Sequence, residues 1–285
     1  MEKIVGKTYS GERSLFKAKD LEIHDAVFLE GESPLKEAHN VSVFSSTFTW
    51  KYPLWYSKNA KVVDSVFENE SHAGFWYIEG ASFARCLFKE RKNFRHASRV
   101  SLKDSKFMDA DETLWWCDDI SGEGLYFHGN YVGMQSKRMS FDNIAIDGNY
   151  PFDGASEVII KNSVLNSKDA FWNAHGITLE NCEINGEYFG WNSSNVVLKR
   201  CKIRSHQGFC YMDDVTLIDC EISDSDLTFE YVSNAKVRII KGELDVKNPI
   251  SGSFVAPKYK NIELSDDTRV QKENLSFRGL DDGEI

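Results

Sequence analysis

Long apolar runs are missing from this 285-residue chain. None approaches the roughly 18 residues that a membrane-crossing helix requires, so no membrane is expected as a partner. The opening words, MEKIVGKTYSGER, contain no hydrophobic core of signal-peptide length, and the simplest expectation is a cytoplasmic protein. Basic residues are short: 34 Lys and Arg stand against 44 Asp and Glu, a net charge of −10. Nonspecific nucleic-acid binding needs a basic face, so nucleic acid is not an expected partner either. Cysteine and histidine never fall at CxxC or HxxxH spacing, which removes the common zinc frameworks, and no metal site is expected. Nucleotide, haem and flavin motifs are absent, so no cofactor is expected.

What is present is a repeat. Gly176 to Ile184 reads GITLENCEI, Asn195 to Ile203 reads NVVLKRCKI, and Asp214 to Ile222 reads DVTLIDCEI. Each is a turn residue, an apolar opener, a free position, an aliphatic, two polar positions, Cys, a free position and Ile. The openers Ile177, Val196 and Val215 are 19 residues apart. The series runs back through Val158, Met139, Ile120, Val100, Ala81, Ala60, Val41 and Leu21, and forward to Ala235, in steps of 19 to 21. Self-similarity at a fixed period near 20 is the signature of a solenoid.

Each rung carries three apolar clusters. The first is the opener with the residue two further on, as in Val41 and Val43; alternation at period two marks a strand. The second pairs a small residue with a bulky one, and the bulky position reads Phe28, Phe48, Phe67, Phe88, Phe107 and Phe127, then Ile146, Leu165, Ile184, Ile203 and Ile222. The third lies six residues before the opener and includes Leu35, Leu54, Phe75, Phe94, Leu114 and Phe171. Asp, Asn or Gly precedes most openers, as a left-handed corner requires. Pro34, Pro53 and Pro151 share one register, at the start of the third cluster, where a ladder tolerates proline. Three short strands per rung and the handedness of parallel crossovers predict an all-β, right-handed, single-stranded parallel β-helix of about 12 rungs with very little helix. A four-sided pentapeptide-type coil is the runner-up. The expected layout is one domain over 1–285: a cap at 1–14, regular rungs at 15–245, and a last rung and tail at 246–285. Glu12, Arg13, Glu32 and Lys36 are expected as ion pairs at the capped end. Cys86, Cys182, Cys201 and Cys220 share a small inward register with Ser46, Ser65, Ser105 and Ser163, and are expected as buried free thiols rather than as a disulfide framework.

One register has the wrong composition for a solvated face. The residue after the third-cluster opener is Trp55, Trp76, Arg95, Trp115, Met134, Asp153, Trp172, Trp191 and Cys210 on successive rungs, and alternation points it outward. The next register adds Tyr56, Tyr77, His96, Trp116, Gln135, Asn173, Asn192 and Tyr211. An exposed aromatic stripe implies an interface. Three occupants compete: sugar rings stacked on the aromatics, a second copy of the chain, or loops of the chain itself. The expected ligand-binding set is Trp55, Trp76, Trp115, Trp116, Trp172, Trp191, Tyr56, Tyr77, Gln135, Asn173 and Tyr211.

A catalytic set is harder to assemble. The words CDD (Cys117 to Asp119), AHG (Ala174 to Gly176) and RIIK (Arg238 to Lys241) are similar to those of polygalacturonases. Asp118 and His175, however, are about three rungs apart, roughly 14 Å at strand spacing, beyond the carboxyl separations that glycoside hydrolysis uses. The rung from Leu114 breaks its own pattern with Gly122 and Gly124, and the next has Gly133 where a bulky residue belongs; local rule-breaking marks a place to look for function. Arg95, His96, Asp118, Gln135 and Asp153 are the polar residues expected together there, with Asp118, Asp153, His96 and Arg95 the catalytic candidates.

The words GERSLF and GESPLKE, the chain length, and rungs of about 20 residues ending in NC or DS resemble an uncharacterised bacterial family, a domain of unknown function in the pectin-lyase-like β-helix class. The resemblance covers nearly the whole chain and implies a right-handed parallel β-helix. It carries over no catalytic residue. The expected function is carbohydrate or glycoconjugate binding on the aromatic face, with glycoside hydrolysis or polysaccharide lysis as the chemistry if the protein is an enzyme. The alternative is a non-enzymatic scaffold that self-associates, or binds a protein, through that face.

Overall fold

A computed structural model describes residues 2–280. The chain falls into two compact units, Met1–Ile146 and Asp147–Ile285, each a stack of short parallel strands. Among the described residues there is no α-helix, only a single 3-10 turn at Lys272–Asn274, and so no helix long and apolar enough to cross a membrane. The turns number about 15 rather than about 12. Glu2–Val5, Gly252–Val255 and Leu275–Arg278 each pair in parallel with a neighbouring rung and so count as turns themselves. Residues 281–285, the end of the expected tail, lie outside the described residues, as does Met1.

In the first unit the long strands stack in strict register. Ile23, Val43, Val62, Phe83, Leu102 and Gly122 are successive partners, and all but Gly122 are fully buried. The shorter strands place Phe28, Phe48, Phe67, Phe88, Phe107 and Phe127 directly over one another. Their rings stack at 4.3–5.1 Å with interplanar angles of 4–15°, and Tyr9 caps the column against Phe28 at 5.2 Å. The strand spacing sets this distance, and the rings meet across it as offset stacks. In the second unit the column is aliphatic, with Leu165, Ile184, Ile203 and Ile222 in the same role. Phe152 and Phe171 stack beside it at 5.0 Å. The ladder shifts register between Leu217 and Glu221, inside the stretch expected to be regular.

The third side is not a strand. Residues such as Pro34–Glu37 and Pro53–Tyr56 form turns, held to neighbouring rungs by single bridges at Lys19–His39, His39–Lys58 and Arg95–Trp115. Backbone with positive φ recurs four times in each early rung, as at Ser33 (59°), Glu37 (57°), Asn40 (54°) and Ser45 (48°), then Tyr52, Tyr56, Asn59 and Asp64, and a fifth such residue joins the third side in later rungs, as Phe94 does between Lys92 and His96. The coil therefore turns at four corners. Asn and Asp fill many of them, and asparagine side chains also bond along the stack, as Asn59 to Asn40 at 3.2 Å and Asn40 to Asp20 at 3.0 Å. Arg13 and Lys36, expected in ion pairs, instead lie over aromatic rings, Arg13 above Phe16 and Lys36 above Trp55 and Tyr56.

Gly122 has a packing cause. A Cβ there would meet Leu125 and Phe141 side-chain carbons at 2.6 Å, so the missing side chain makes room for the Phe141 ring. All six cysteines are buried and free. Cys210, placed outward by strand alternation, is fully buried, because the turn that carries it does not alternate. Burial pushes the Cys86 thiol up to about 11 and those of Cys117 and Cys210 to about 12.

Two outcomes follow from this packing. Phe88→Ala, at the middle of the ring column, should lower stability by about 3–5 kcal/mol in denaturant titration, since a full ring leaves a cavity that rigid neighbours cannot fill. All six thiols should titrate at once in denaturant without reductant, yet react slowly in the native protein at neutral pH, because every one is buried away from the reagent.

A candidate ligand-binding face

The aromatic registers form two columns in the first unit. The inner column is Trp55, Trp76, Arg95 and Trp115. Trp55 and Trp76 stack at 5.4 Å, and the Arg95 guanidinium lies between rings, 5.0 Å from Trp76 and 4.6 Å from Trp115. The tryptophans are half-buried rather than fully outward. Each indole N–H donates to a backbone carbonyl on the following rung: Trp55 to Ala73, Trp76 to Lys92 at 2.9 Å, Trp115 to Tyr131 at 2.6 Å. In the second unit Trp172 and Trp191 repeat the device, donating to Tyr188 at 3.2 Å and Gln207 at 3.0 Å and stacking at 5.8 Å. This register is thus largely structural: the indoles rivet one corner to the next.

The exposed column is the next register. Tyr56, Tyr77, His96 and Trp116 are all exposed, Tyr56 and Trp116 by 44 and 43 %. Tyr56 stacks on Tyr77 at 4.7 Å, Tyr77 on His96 at 5.1 Å, and His96 on Trp116 at 5.2 Å, all within 8° of parallel. The column spans three strand spacings, roughly 15 Å. Stacking hides the ring faces from solvent except at the two ends. What the column presents outward is ring edges, including two tyrosine hydroxyls, the imidazole nitrogens and an indole N–H. All four residues have left-handed backbone, with φ of 56, 58, 50 and 52°. For bulky side chains that conformation costs roughly 1–2 kcal/mol each.

The second unit fills the same register differently. Asn173 and Asn192, with φ of 51 and 56°, bond along the stack, Asn192 to Asn173 at 2.8 Å and Asn173 to Asp153 at 3.1 Å. Tyr211 is exposed, while Tyr231 is covered by the following segment: Arg269 lies 3.6 Å above its ring, and its hydroxyl donates to Asp267 at 3.0 Å. The Arg269 guanidinium and its backbone amide hold the Asp267 carboxyl well below the usual carboxylate range.

The expected catalytic residues are engaged elsewhere. Arg95 is sandwiched by indoles and paired with Glu112. Asp118 is paired with Arg138 and, at 3.5 Å, with Lys137. His96 is a ring of the exposed column, Gln135 is exposed on the rung after Trp116, and Asp153 accepts from Asn173 in the second unit. Carboxylates along the column are likewise ion-paired, as Glu79 with Lys58 at 3.0 Å and with Arg99 at 2.5 Å.

Sequence reasoning missed Glu90. It lies in the bend after the Leu87–Phe88 strand and is 1 % exposed, with the Asn93 side chain and the local backbone as the polar groups nearest its carboxyl. Desolvation pushes its carboxyl well above the usual range. It contributes to the lining of an open cleft of about 550 Å³, together with Asn69, Glu70 and His72. Asn93 Oδ1 and Thr113 Oγ1, both on buried residues nearby in the chain and the ladder, are also without partners. Among the described residues no cluster of three or more His, Cys, Asp and Glu is arranged to hold a metal.

Parallel β-helical folds with long stacked faces define the class. The chain belongs to the family described as "Protein of unknown function (DUF3737)", whose model matches residues 2–277. No curated protein matches the chain in sequence. Among solved structures it is similar to a tailspike protein mutant of the E. coli bacteriophage HK620 in complex with pentasaccharide, at 8 % identity and a TM-score of 0.52, over 97 % of this chain and 71 % of that one. It is also similar to the catalytic unit of a thermostable GH87 α-1,3-glucanase from Streptomyces thermodiastaticus, at 8 % identity and a TM-score of 0.50, over 97 % of this chain and 62 % of that one. Identity this low carries the fold alone.

The Glu90 carboxyl has a folded-state pKa raised above the ordinary 4.5. The folded protein keeps a proton that the unfolded chain gives up, so the Glu90 contribution is full below that value and is lost as pH rises toward the folded pKa. Glu90→Gln, which cannot ionise, should therefore raise the melting temperature at about pH 7 and change it little at about pH 4, by calorimetry at both.

Proposed function

We propose that the protein binds carbohydrate along the exposed column Tyr56–Tyr77–His96–Trp116. The observation that carries this reading is the unbroken exposed stack of Tyr56, Tyr77, His96 and Trp116, where the second unit has the bonded pair Asn173 and Asn192. An exposed run of aromatic side chains marks an interaction surface. They present alternating apolar edges and hydrogen-bonding groups at strand spacing, and an extended glycan advances by about one sugar ring over the same distance. Two structures that share the fold, the tailspike complex and the GH87 glucanase, carry carbohydrate in their own descriptions, which fits a carbohydrate role in general terms. Binding rather than bond cleavage is assigned to this column, since Asp118, Glu79 and Glu112 there are committed to cations.

The test uses the second unit as its template. The triple variant Tyr56→Asn, Tyr77→Asn, His96→Asn should fold with a melting temperature within a few degrees of the parent, because relief of strain offsets lost ring contact. Its signal on an array of neutral, amino and uronic oligosaccharides should fall at least about tenfold. Undiminished array binding by the triple variant overturns the reading. Loss of a dimer mass in light scattering, with no array signal from the parent, assigns the column to self-association instead.

A further inference from the structure

The inner column meets two cations, and only one of them is neutralised within the protein. Arg95 lies against Trp115, and the next residue, His96, donates its amide to the Trp115 carbonyl at 3.0 Å. Lys36 stands to Trp55 in the same way. Its ammonium lies over the Trp55 ring at 6.0 Å, and the Glu37 amide donates to the Trp55 carbonyl at 2.8 Å. Arg95 is paired with Glu112, three residues before Trp115. The residue three before Trp55 is Tyr52, whose ring packs on Trp55 at 4.3 Å and offers no carboxylate. Other cations beside the columns are committed, Lys17 to Glu37 at 3.5 Å and Lys58 to Glu79 at 3.0 Å. Among the described residues no carboxylate pairs with Lys36, which is half-buried and held only by rings. One of those rings is Tyr56, the first of the exposed column, 5.8 Å from the ammonium. On the preceding rung Arg13, over Phe16 at 5.5 Å, is a second cation with no carboxylate among the described residues.

We propose that Lys36 is the anion-binding group of this face, and that the glycan carries a negative charge on the unit beside Tyr56. This rests on the carbohydrate reading of the column and specifies the sugar class. Ring faces attract a cation and position it, but they leave its three N–H donors without acceptors. A carboxylate or phosphate on the sugar supplies what Glu112 supplies to Arg95, a charge-assisted bond to a cation already in place. An amino sugar would set a second ammonium against the first, and a neutral sugar leaves the charge unmatched. The net charge of −10 does not oppose an anion here. Residues 1–61 hold nine Lys and Arg against eight Asp and Glu, so the acidic excess lies beyond them. Exposed carboxylates farther off than roughly 8 Å are largely screened at physiological salt. Carboxylate and phosphate share this chemistry, because an ammonium is a point charge without the planar fork of a guanidinium.

Isothermal titration with two matched pairs tests this: oligogalacturonates against their methyl esters, and oligomannosides bearing 6-phosphate against the unphosphorylated forms. In at least one pair the charged member should bind at least about tenfold more tightly than the neutral one. That preference should shrink as sodium chloride is raised from about 0.05 to about 0.5 M. The pair that shows it identifies the anion. Lys36→Gln, with melting checked first, should bring the charged member down to the affinity of its neutral partner, and Lys36→Arg should keep the preference. Equal binding within both pairs, or a preference that survives Lys36→Gln, overturns the Lys36 assignment alone, since the neutral members still report on the column. The double variant Tyr77→Asn, His96→Asn leaves both rings under Lys36 in place and separates the two readings. If it keeps all binding while Lys36→Gln removes the preference, the column reading falls and Lys36 stands. If none of the four ligands binds the parent protein, both fall.

Discussion

Parallel hydrogen bonding between successive rungs is the constraint from which the rest of this structure follows. It fixes the distance between equivalent residues at one strand spacing and fixes their orientation to one another. Side chains then have two ways to be comfortable: to stack with a like neighbour, or to bond to it. Phenylalanines take the first course inside the first unit, where Phe67 and Phe88 lie 5.1 Å apart and 4° from parallel. Asparagines take the second at the corners, as Asn192 does with Asn173. The indoles combine both, stacking on one neighbour while donating to the carbonyl of another.

The same constraint governs what the outer surface can do. A ring stacked on its neighbour has spent its faces and offers its edge. An aromatic stripe on a stacked coil is therefore not the flat platform that its composition suggests, and its chemistry is that of hydroxyls, ring nitrogens and C–H edges. Arg95 illustrates the cost of interrupting such a column. A planar cation between two indoles keeps the stack continuous, and Glu112 balances the charge.

The strand-borne parts of the fold were legible because strands obey parity. Val41 and Val43, Ser46 and Phe48 read correctly as inward pairs, and the opener series located every long strand from Leu21 to Ala235. The N-terminal rung was read as a cap because Glu2–Val5 lacks the small-x-bulky unit that marks the others, and the segment read as one last rung and a tail holds two strands of the stack, Gly252–Val255 and Leu275–Arg278. Parity failed on the third side, where a left-handed residue stands on each flank of the turn, as Tyr52 and Tyr56 do around Leu54. Each such residue resets which way the chain points. Trp55 came out half-buried and Cys210 fully buried for that reason, while Tyr56 and Trp116, one position on, are the exposed rings. Gly122 looked like a functional irregularity because the Phe141 ring that fills its space lies one rung away, and one sequence read linearly does not show rungs against each other.

Glu90 shows what that linear reading hides in the other direction. An inward acid at the end of a short strand looks like any charged loop residue, since the loops at this corner vary in length and are rich in Lys and Glu. Only its full burial separates it from Lys89 and Arg91, whose charges are matched across rungs. A solenoid has easy means to remove such a group: the residue two after the bulky position is Gly129 two rungs on, and Ser167 and Ser205 in the second unit, all small. A buried carboxyl at a register that elsewhere takes a glycine or serine is an expense that stacking alone does not account for.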